Sequence, residues 1–295
     1  MILITGAGGL NGTAIVRTFS RHGVPVRALV RDRSRAQALT ILPHVEVVEG
    51  DLLRPDTYRA ALDGVERALL ISSADASMVE AQCAFIDACV ASGVAHVVKF
   101  SGAESSIGFD PGAFRFTAMH RDVEQYLERS DMAWTHLRPS QFMHVYLRES
   151  RSIAADGTLR LPCADITLAP VDVDDIAAIA YALLREGGHV GEALAITGPE
   201  ALTMTQIADA IGAAIGRPVR YVPITADERS RMLEAMGLAP FLVDGIREQT
   251  AQRLAHPDAG VSLRTHHRFG VAPTTFAAFA RRHAAVFGGV AALRG

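Results

Sequence analysis

The stretch that most constrains this chain is its first one, Met1-Ile-Leu-Ile-Thr-Gly6-Ala-Gly-Gly9-Leu10-Asn11-Gly12-Thr13. Ile2, Leu3 and Ile4 form a continuous apolar run, the pattern of a short strand covered on both faces. Gly6, Gly9 and Gly12 follow at a spacing of three, and a helical pattern starts at once. In such a turn one glycine permits the bend, one lets backbone approach a pyrophosphate, and one lets the helix lie close to the sheet. Unsatisfied N–H groups and the partial positive charge at the helix N-terminus then favour phosphate. The match is to Gly-x-x-Gly-x-x-Gly; Gly-x-Gly-x-x-Gly fails because Asn11 holds its last position. Strand before and helix after distinguish this from an ordinary glycine turn and predict a nucleotide cradle.

The pattern then repeats. Ile15, Val16 and Phe19 make one helix face, and Gly23 stands where a helix-terminating glycine belongs. Val26 to Val30 reads as a second strand with Arg31-Asp-Arg-Ser-Arg35 at its carboxyl end, where ribose recognition occurs in this kind of sheet. Arginine there suits a 2'-phosphate and favours NADP(H), with Asp32 the competing contact for a 2'-hydroxyl. Val45 to Glu49 alternates as a third strand and leads into Gly50-Asp51-Leu52, where Asp51 either accepts from an adenine amino group or caps the turn. A helix with Pro55 in its first turn is expected to run to about Gly64. Arg67 to Ile71 is a fourth strand ending at Ser72 and Ser73, followed by a helix from Asp75 to Ser92. Ala95 to Phe100 is a fifth, ending at Ser101. Five strand-helix units without a hairpin signal imply α/β architecture, a Rossmann-type doubly wound parallel sheet. The Gly-, Ser- and Pro-rich stretch from Gly102 to Arg115 reads as a lid. A helix from Phe116 to Arg129 and a strand from Trp134 to Arg138 follow, the latter meeting Pro139-Ser-Gln-Phe142-Met143.

Beyond this the repeat breaks. Asp156-Gly157 marks a turn, and Asp172, Asp174 and Asp175 precede a helix over Ile176 to Leu184, where capping and the helix dipole account for them without a metal. Ala193 to Thr197 is expected to return to the sheet. Ile207, Ile211 and Ile215 then open a mostly helical region, in which Val219 to Val222 is a short strand. Met232, Met236, Leu238, Phe241 and Leu242 line a substrate cleft or are plain core, and a last helix covers Pro273 to Phe287. The expected division is a nucleotide domain of residues 1–148 plus 171–198, with residues 149–170 plus 199–295 as a smaller, mostly helical C-terminal lobe.

Composition excludes other classes. Hydrophobic residues are 49%, charged residues 21%, and the net charge of -3 offers no basic footprint for nucleic acid or an anionic membrane. No apolar run reaches the roughly 20 residues of a membrane span. The first strand starts at Met1, leaving no room for a signal peptide, so a cytoplasmic protein is expected. Cys83, Cys89 and Cys163 fit no zinc spacing and read as buried thiols, Cys83 sharing a helical stripe with Val79, Ile86 and Val90. His266-His267 has no second ligand cluster, so no metal site is expected.

Taken together, Ile4-Thr-Gly-Ala-Gly-Gly9 with Gly12, Val30-Arg31, Gly50-Asp51-Leu52, His120 with Glu124 and Leu127, Leu137-Arg-Pro139 with Phe142-Met143, Val173-Asp-Asp-Ile176-Ala, and Thr197-Gly-Pro199 resemble the NmrA-like family of atypical short-chain dehydrogenase/reductases. That family includes NADPH-dependent quinone and triphenylmethane-dye reductases as well as NADP-sensing regulators. The resemblance implies that Gly6, Gly9, Leu10, Asn11 and Gly12 hold the pyrophosphate and Arg31 the 2'-phosphate. Asp51, Leu52 and Ser73 join the cofactor set, while Ser72, Ser101, His120 and the turn of Pro139 and Phe142 surround the nicotinamide ribose. Ordinary members of the wider superfamily use Tyr-x-x-x-Lys on one helix face. Here that helix reads Phe116-Arg-Thr-Ala-Met-His120, so the phenol is absent and Phe116 cannot act as an acid. His120, with Ser101, is the catalytic candidate, holding ribose hydroxyls or relaying a proton. Two functions stay open: an NADPH-dependent reductase of an apolar, conjugated, quinone-like substrate, or a dinucleotide sensor reporting to a regulatory protein partner. A homodimer is compatible with either.

Overall fold

Seven short runs with apolar residues on both faces lie side by side, each connection crossing over to bring the chain back parallel. The computed structural model describes residues 1–103 and 108–290. In chain order, β1 (Ile2–Ile4), α1 (Leu10–Arg21), β2 (Val26–Val30), α2 (Gln37–Thr40), β3 (Val45–Glu49), β4 (Arg67–Leu70), α3 (Met78–Ala91), β5 (His96–Phe100), α4 (Arg115–Glu128) and β6 (Ala133–Pro139) form the first part. Then come α5 (Ser150–Asp156), β7 (Thr158–Leu161), β8 (Thr167–Leu168), α6 (Val173–Glu186), β9 (Glu192–Ile196), β10 (Leu202–Thr203), α7 (Met204–Ile215), β11 (Arg220–Pro223), α8 (Ala226–Ala235) and α9 (Pro240–Ala255). Three short helices, α10 (Arg264–Arg268), α11 (Phe276–Arg282) and α12 (Ala284–Phe287), close the described chain.

The main sheet has the order β3-β2-β1-β4-β5-β6-β9, with parallel pairing throughout. Ile2 pairs with both Val26 and Arg67, so β1 is central and the winding reverses between β1 and β4. That reversal opens a crevice at the carboxyl ends of the strands, where ligands bind in such sheets. Alternation assigns Ile2 and Ile4 to one face, with Ile15, Phe19, Ile176 and Leu183 of α1 and α6. Leu3 faces the other way, toward Phe85, Ile86, Val123 and Leu127 of α3 and α4. A third apolar cluster joins Tyr146, Ile153, Leu159, Ile207, Ile211, Phe276 and Phe279. It is fed by two small sheets, β7 with β11 in parallel and β8 with β10 antiparallel.

Several local expectations are corrected. The helix expected over Pro55 to Gly64 is two short 3₁₀ turns, because Thr57 Oγ1 accepts no helical neighbour but donates to Arg54 O and accepts from Asp51 N. α3 starts at Met78 and not at Asp75, since the Asp75 carboxylate accepts from Ser77 N and Oγ and holds a turn there. The last helix begins only after its Thr275 cap and is interrupted at His283. Cys89 and Cys163 are buried, whereas Cys83 is partly exposed and Val90 half-exposed, so that stripe does not run the length of α3. Asp172 does cap α6, but it also pairs with Arg282, and Asp175 accepts from both Thr274 N and Oγ1 at 2.7 Å. These acids fasten the C-terminal helices to α6.

The tightest packing lies at the glycine loop. Gly6 has φ +55, and a Cβ on Gly12 would overlap the Gly6 carbonyl oxygen and the Ala7 Cα, so α1 rests on bare backbone. Gly9 is different: its φ is -82, an ordinary extended value, and a Cβ there would lie 3.3 Å from Gly6 O. Gly12→Ala is therefore expected to lower stability by about 1–3 kcal/mol or more, while Gly9→Ala leaves the urea midpoint near that of the wild type. Equal midpoints for the two variants would contradict this packing.

Candidate active site

At the switch point a groove of about 520 Å³ runs across the carboxyl ends of β1, β2 and β4. Gly6, Gly8, Gly9, Leu10 and Asn11 form its wall at the start of α1. Gly9 is the N-cap, no side chain caps the helix, and its first turn has no acidic residue. The helix end is thus left bare for an anion. Asn11 Oδ1 is buried without a partner, an acceptor suited to a ribose hydroxyl. These features fit a dinucleotide. Gly12 does not line the groove; its place is the helix–sheet contact.

The ribose end is cationic. Arg31, Asp32 and Arg35 all border the groove and are exposed. Arg31 Nη2 donates to Ser73 Oγ at 3.3 Å, which brings the guanidinium over the crevice. The Asp32 carboxylate is turned back on its own loop, accepting from Ser34 N at 2.8 Å and Ser34 Oγ at 2.6 Å. Those bonds hold it below the usual carboxylate range, the hydroxyl contributing most. Asp51 accepts from Leu53 N at 3.1 Å, so it serves its turn while bordering the groove beside Leu52. Ser72 is oriented by buried Gln82, whose Nε2 donates to its hydroxyl at 2.7 Å.

Asn11, Ile71 and Ser72 also border a second cavity of about 390 Å³. Phe100, Phe109, Phe114, Phe116 and Phe142 give it aromatic walls, with Leu233 and Ile246 opposite and Ser101, His120 and Pro139 at the nucleotide side. Phe114 meets Phe109 at 5.2 Å and Phe116 at 5.6 Å between centroids, both edge-on. Residues 104–107 of the expected lid lie outside the described residues. Its described part is anchored to α9: Asp110 N donates to Gln252 Oε1 at 2.9 Å, and Arg115 binds Glu248 through its backbone and guanidinium.

Behind the wall lies a buried polar network. Lys99 is fully buried on the α3/α4 side of β5, and its Nζ stands 2.9 Å from His120 Nδ1 and 2.8 Å from Phe100 O. Burial pushes the Lys99 ammonium down to about 7. Burial, and then the neighbouring Lys99 charge, hold His120 well below its usual range. The far edge of the imidazole, Cδ2 and Nε2, lies under Gly102, where a Cβ would sit only 2.6–2.7 Å away. Ser101 Oγ accepts from Ala103 N at 3.1 Å, and its hydroxyl, on the side of the Glu124 carboxylate, helps hold that acid below its usual range. Glu124 is gripped by Arg138 at 2.9 and 2.5 Å, which outweighs its burial and keeps it ionised. Glu124, Glu128 and His136 come within 4.8 Å of one another, yet the Arg138 fork already occupies Glu124.

Sequence reading missed Lys99, although one lysine in the buried run Val97-Val98-Lys99-Phe100 was a signal. It offered Met232, Met236, Leu238, Phe241 and Leu242 as cleft lining or plain core, and none of the five lines the cavity. The cavity instead takes Arg229 and Leu233 of α8, four residues apart on one face, and Ile246, Gln249, Thr250 and Arg253 of α9. Met236 is exposed.

A parallel sheet with this strand order, an uncapped glycine-rich helix start at its switch point, and arginine at the end of β2 define a Rossmann-type dinucleotide-binding protein. The chain belongs to the NmrA-like family, whose model matches residues 1–252. It is 36% identical over 291 residues to an NAD(P)H azoreductase of Xenophilus azovorans, covering 98% of this chain and 99% of that protein. Quinone oxidoreductase 2 of Escherichia coli (strain K12) is 30% identical over 266 residues, 89% of this chain and 88% of the relative. The crystal structure of an NADPH-dependent quinone oxidoreductase from Escherichia coli complexed with NADPH is similar at a TM-score of 0.83 and 26% identity, covering 96% of this chain and 99% of that one.

The buried lysine makes a pH-dependent stability prediction. Below about pH 7 Lys99 is charged in both folded and unfolded chains, and folding bears its full desolvation. Between about 7 and the unfolded value of 10.5 the unfolded chain binds more protons, so this penalty fades as pH rises. Lys99→Met is expected to be more stable than the wild type by a few kcal/mol, on the order of magnitude implied by such a shift, at pH 6.5, with the gain shrinking by pH 9.5. Urea titrations at the two pH values measure it; a gain that grows with pH would contradict the buried ammonium.

Proposed function

We propose that this chain is an NADPH-dependent reductase of an apolar, conjugated acceptor of the quinone or azo type. The observation that carries the reading is the aromatic cavity that shares Asn11, Ile71 and Ser72 with the nucleotide groove. A sensor needs the groove but has no evident use for the cavity. Relatives named as an azoreductase and a quinone oxidoreductase support the same reading.

Gly8, Gly9, Leu10 and Asn11 would hold the pyrophosphate, Arg31 with Arg35 the 2'-phosphate, and Ser72, Ser101 and Pro139 the nicotinamide end. When bound, the reduced nicotinamide supplies a hydride, and a quinone taking that hydride and one proton becomes the hydroquinone. The chain's share is orientation and exclusion of water. Phe100, Phe114, Phe116 and Phe142 present ring faces and edges to a flat acceptor, which limits its rotation. Phe116 carries no proton, and such acceptors delocalise incoming charge over the conjugated system, so a phenol is dispensable. His120 is the one titratable group on the nucleotide side of the cavity wall among the described residues. The three cysteines are free, and no helix among the described residues is long and apolar enough to cross a membrane, which supports a cytoplasmic reading.

NADPH is expected to bind about tenfold or more tightly than NADH, one charge-assisted hydrogen bond being worth roughly 1.5–3 kcal/mol. Arg31→Ala should remove most of that preference, as read by fluorescence titration of both nucleotides. Equal affinities in the wild type would hand the ribose to Asp32.

Steady-state assays with quinones and azo dyes test the chemistry. Phe116→Tyr should leave turnover within about twofold, whereas His120→Ala should lower it by about a hundredfold or more if the imidazole gives a proton. A loss in His120→Ala confined to NADPH affinity would make that residue a ribose contact. Tight NADPH binding without consumption against every acceptor would replace the reductase with a sensor.

A further inference from the structure

The imidazole of His120 has two nitrogens, and the fold treats them differently. Nδ1 points inward, 2.9 Å from Lys99 Nζ; Nε2 lies on the opposite edge, beneath Gly102 at the cavity wall. A neutral imidazole has one N–H donor and one bare acceptor nitrogen, and an ammonium can only donate. Lys99 therefore decides which nitrogen is bare. With Nδ1 accepting from Lys99, the single ring proton must be on Nε2, where an acceptor molecule in the cavity can take it.

We propose that Lys99 is a positioning residue and proton reservoir for His120, fixing its Nε2–H tautomer toward the cavity and supplying Nδ1 with a proton as Nε2 gives its own away. This rests on the reductase reading. As hydride reaches a quinone or azo acceptor from NADPH, the Nε2–H bond breaks and an O–H or N–H bond forms on the acceptor. A Lys99 N–H bond breaks and an Nδ1–H bond forms, leaving a neutral lysine. A proton (H⁺) from bulk solvent then returns to Nε2, and Nδ1 returns its own to Lys99. Charge balances at each stage, and no reductant other than NADPH is required.

The surroundings suit that task. Lys99 is wholly buried and does not border the cavity, so it acts only through His120. The charged and titratable groups facing it are His120 and Glu124 from α4 and Cys83 from α3; Glu124 is itself neutralised by Arg138 of β6. The Glu124 charge supports the ammonium form without forming a direct ion pair with it, while burial opposes that form. A lysine balanced in this way near pH 7 can both lose and regain a proton.

Two measurements test this. Imidazole ¹⁵N NMR of the nucleotide-free wild type should report His120 as the Nε2–H tautomer, and Lys99→Met should shift it toward a mixture. In kinetics with NADPH and a quinone, Lys99→Met should lower kcat by about a hundredfold with the NADPH Kd and the quinone KM within about twofold. Lys99→Gln keeps an N–H for Nδ1 but has no proton to yield. It should preserve the tautomer, share the loss in kcat, and lack the fall in kcat expected of the wild type as pH rises through about 7. An Nδ1–H tautomer in the wild type overturns the proposal, as does a wild-type kcat and pH profile in Lys99→Met. If no acceptor consumes NADPH, the reductase reading fails by itself, and the tautomer decides whether Lys99 positions His120.

Discussion

The contact on which the rest depends is backbone against backbone, where the start of α1 lies on the ends of β1 and β4. Thr5 bridges those strands, its Oγ1 donating to Ile71 O at 2.6 Å and accepting from Ile71 N at 2.8 Å. At Gly6 and Gly12 backbone meets neighbouring atoms with no room for a Cβ. The consequence is that the helix N-terminus arrives at the crevice with its N–H groups free, and Gly8 and Gly9 can present plain peptide to an anion. A methyl group at Gly12 would lift α1, and with it one wall of the groove, away from the arginines at the end of β2. Cofactor recognition here is a result of packing before it is a matter of charge.

The site has two halves built on different physics. The groove offers dipoles and guanidinium groups arranged along strand ends, and its chief acidic candidate, Asp32, is occupied by its own turn. The cavity offers area and shape, with phenyl rings from the end of β5, from α4 and its approach, and from the turn after β6. Between the halves stands the sequence Phe100-Ser101-Gly102. It turns Ser101 toward Glu124, leaves space for the His120 ring, and through Phe100 O accepts from Lys99. The Arg138–Glu124 fork beneath them is mostly shielded from water, so breaking it would strand a buried carboxylate.

Strand periodicity and punctuation glycines made most of the doubly wound sheet legible, including the return of β9, because each buried strand advertises its environment in its own residues. The groove was legible for the same reason: Gly6, Gly9 and Arg31 are local signals whose meaning depends on the strand beside them. Errors arose where side chains chose local bonds over the regular pattern. Thr57, Asp75 and Thr275 each redirect a helix start or stop through one or two local side-chain hydrogen bonds, and periodicity is blind to that choice. The lobe's cavity face was not legible for another reason: nothing in the one-dimensional pattern of α8 and α9 marks Arg229 and Leu233 as the face turned inward.

By itself the sequence determined the strand order's raw material, the phosphate-binding turn, the arginine at the end of β2 and the loss of the phenol at Phe116, since each is a property of a short segment. Only the tertiary structure decided that Lys99 would stand behind His120. The two residues are on different elements, β5 and α4, and their 2.9 Å contact exists because α4 packs over the sheet face to which Lys99 points. A lysine in an apolar strand reads as an anomaly until the helix that covers it is in place. What makes it a partner for the histidine is the exclusion of water by that packing, which lowers the ammonium's hold on its proton and aims it at one nitrogen of the ring.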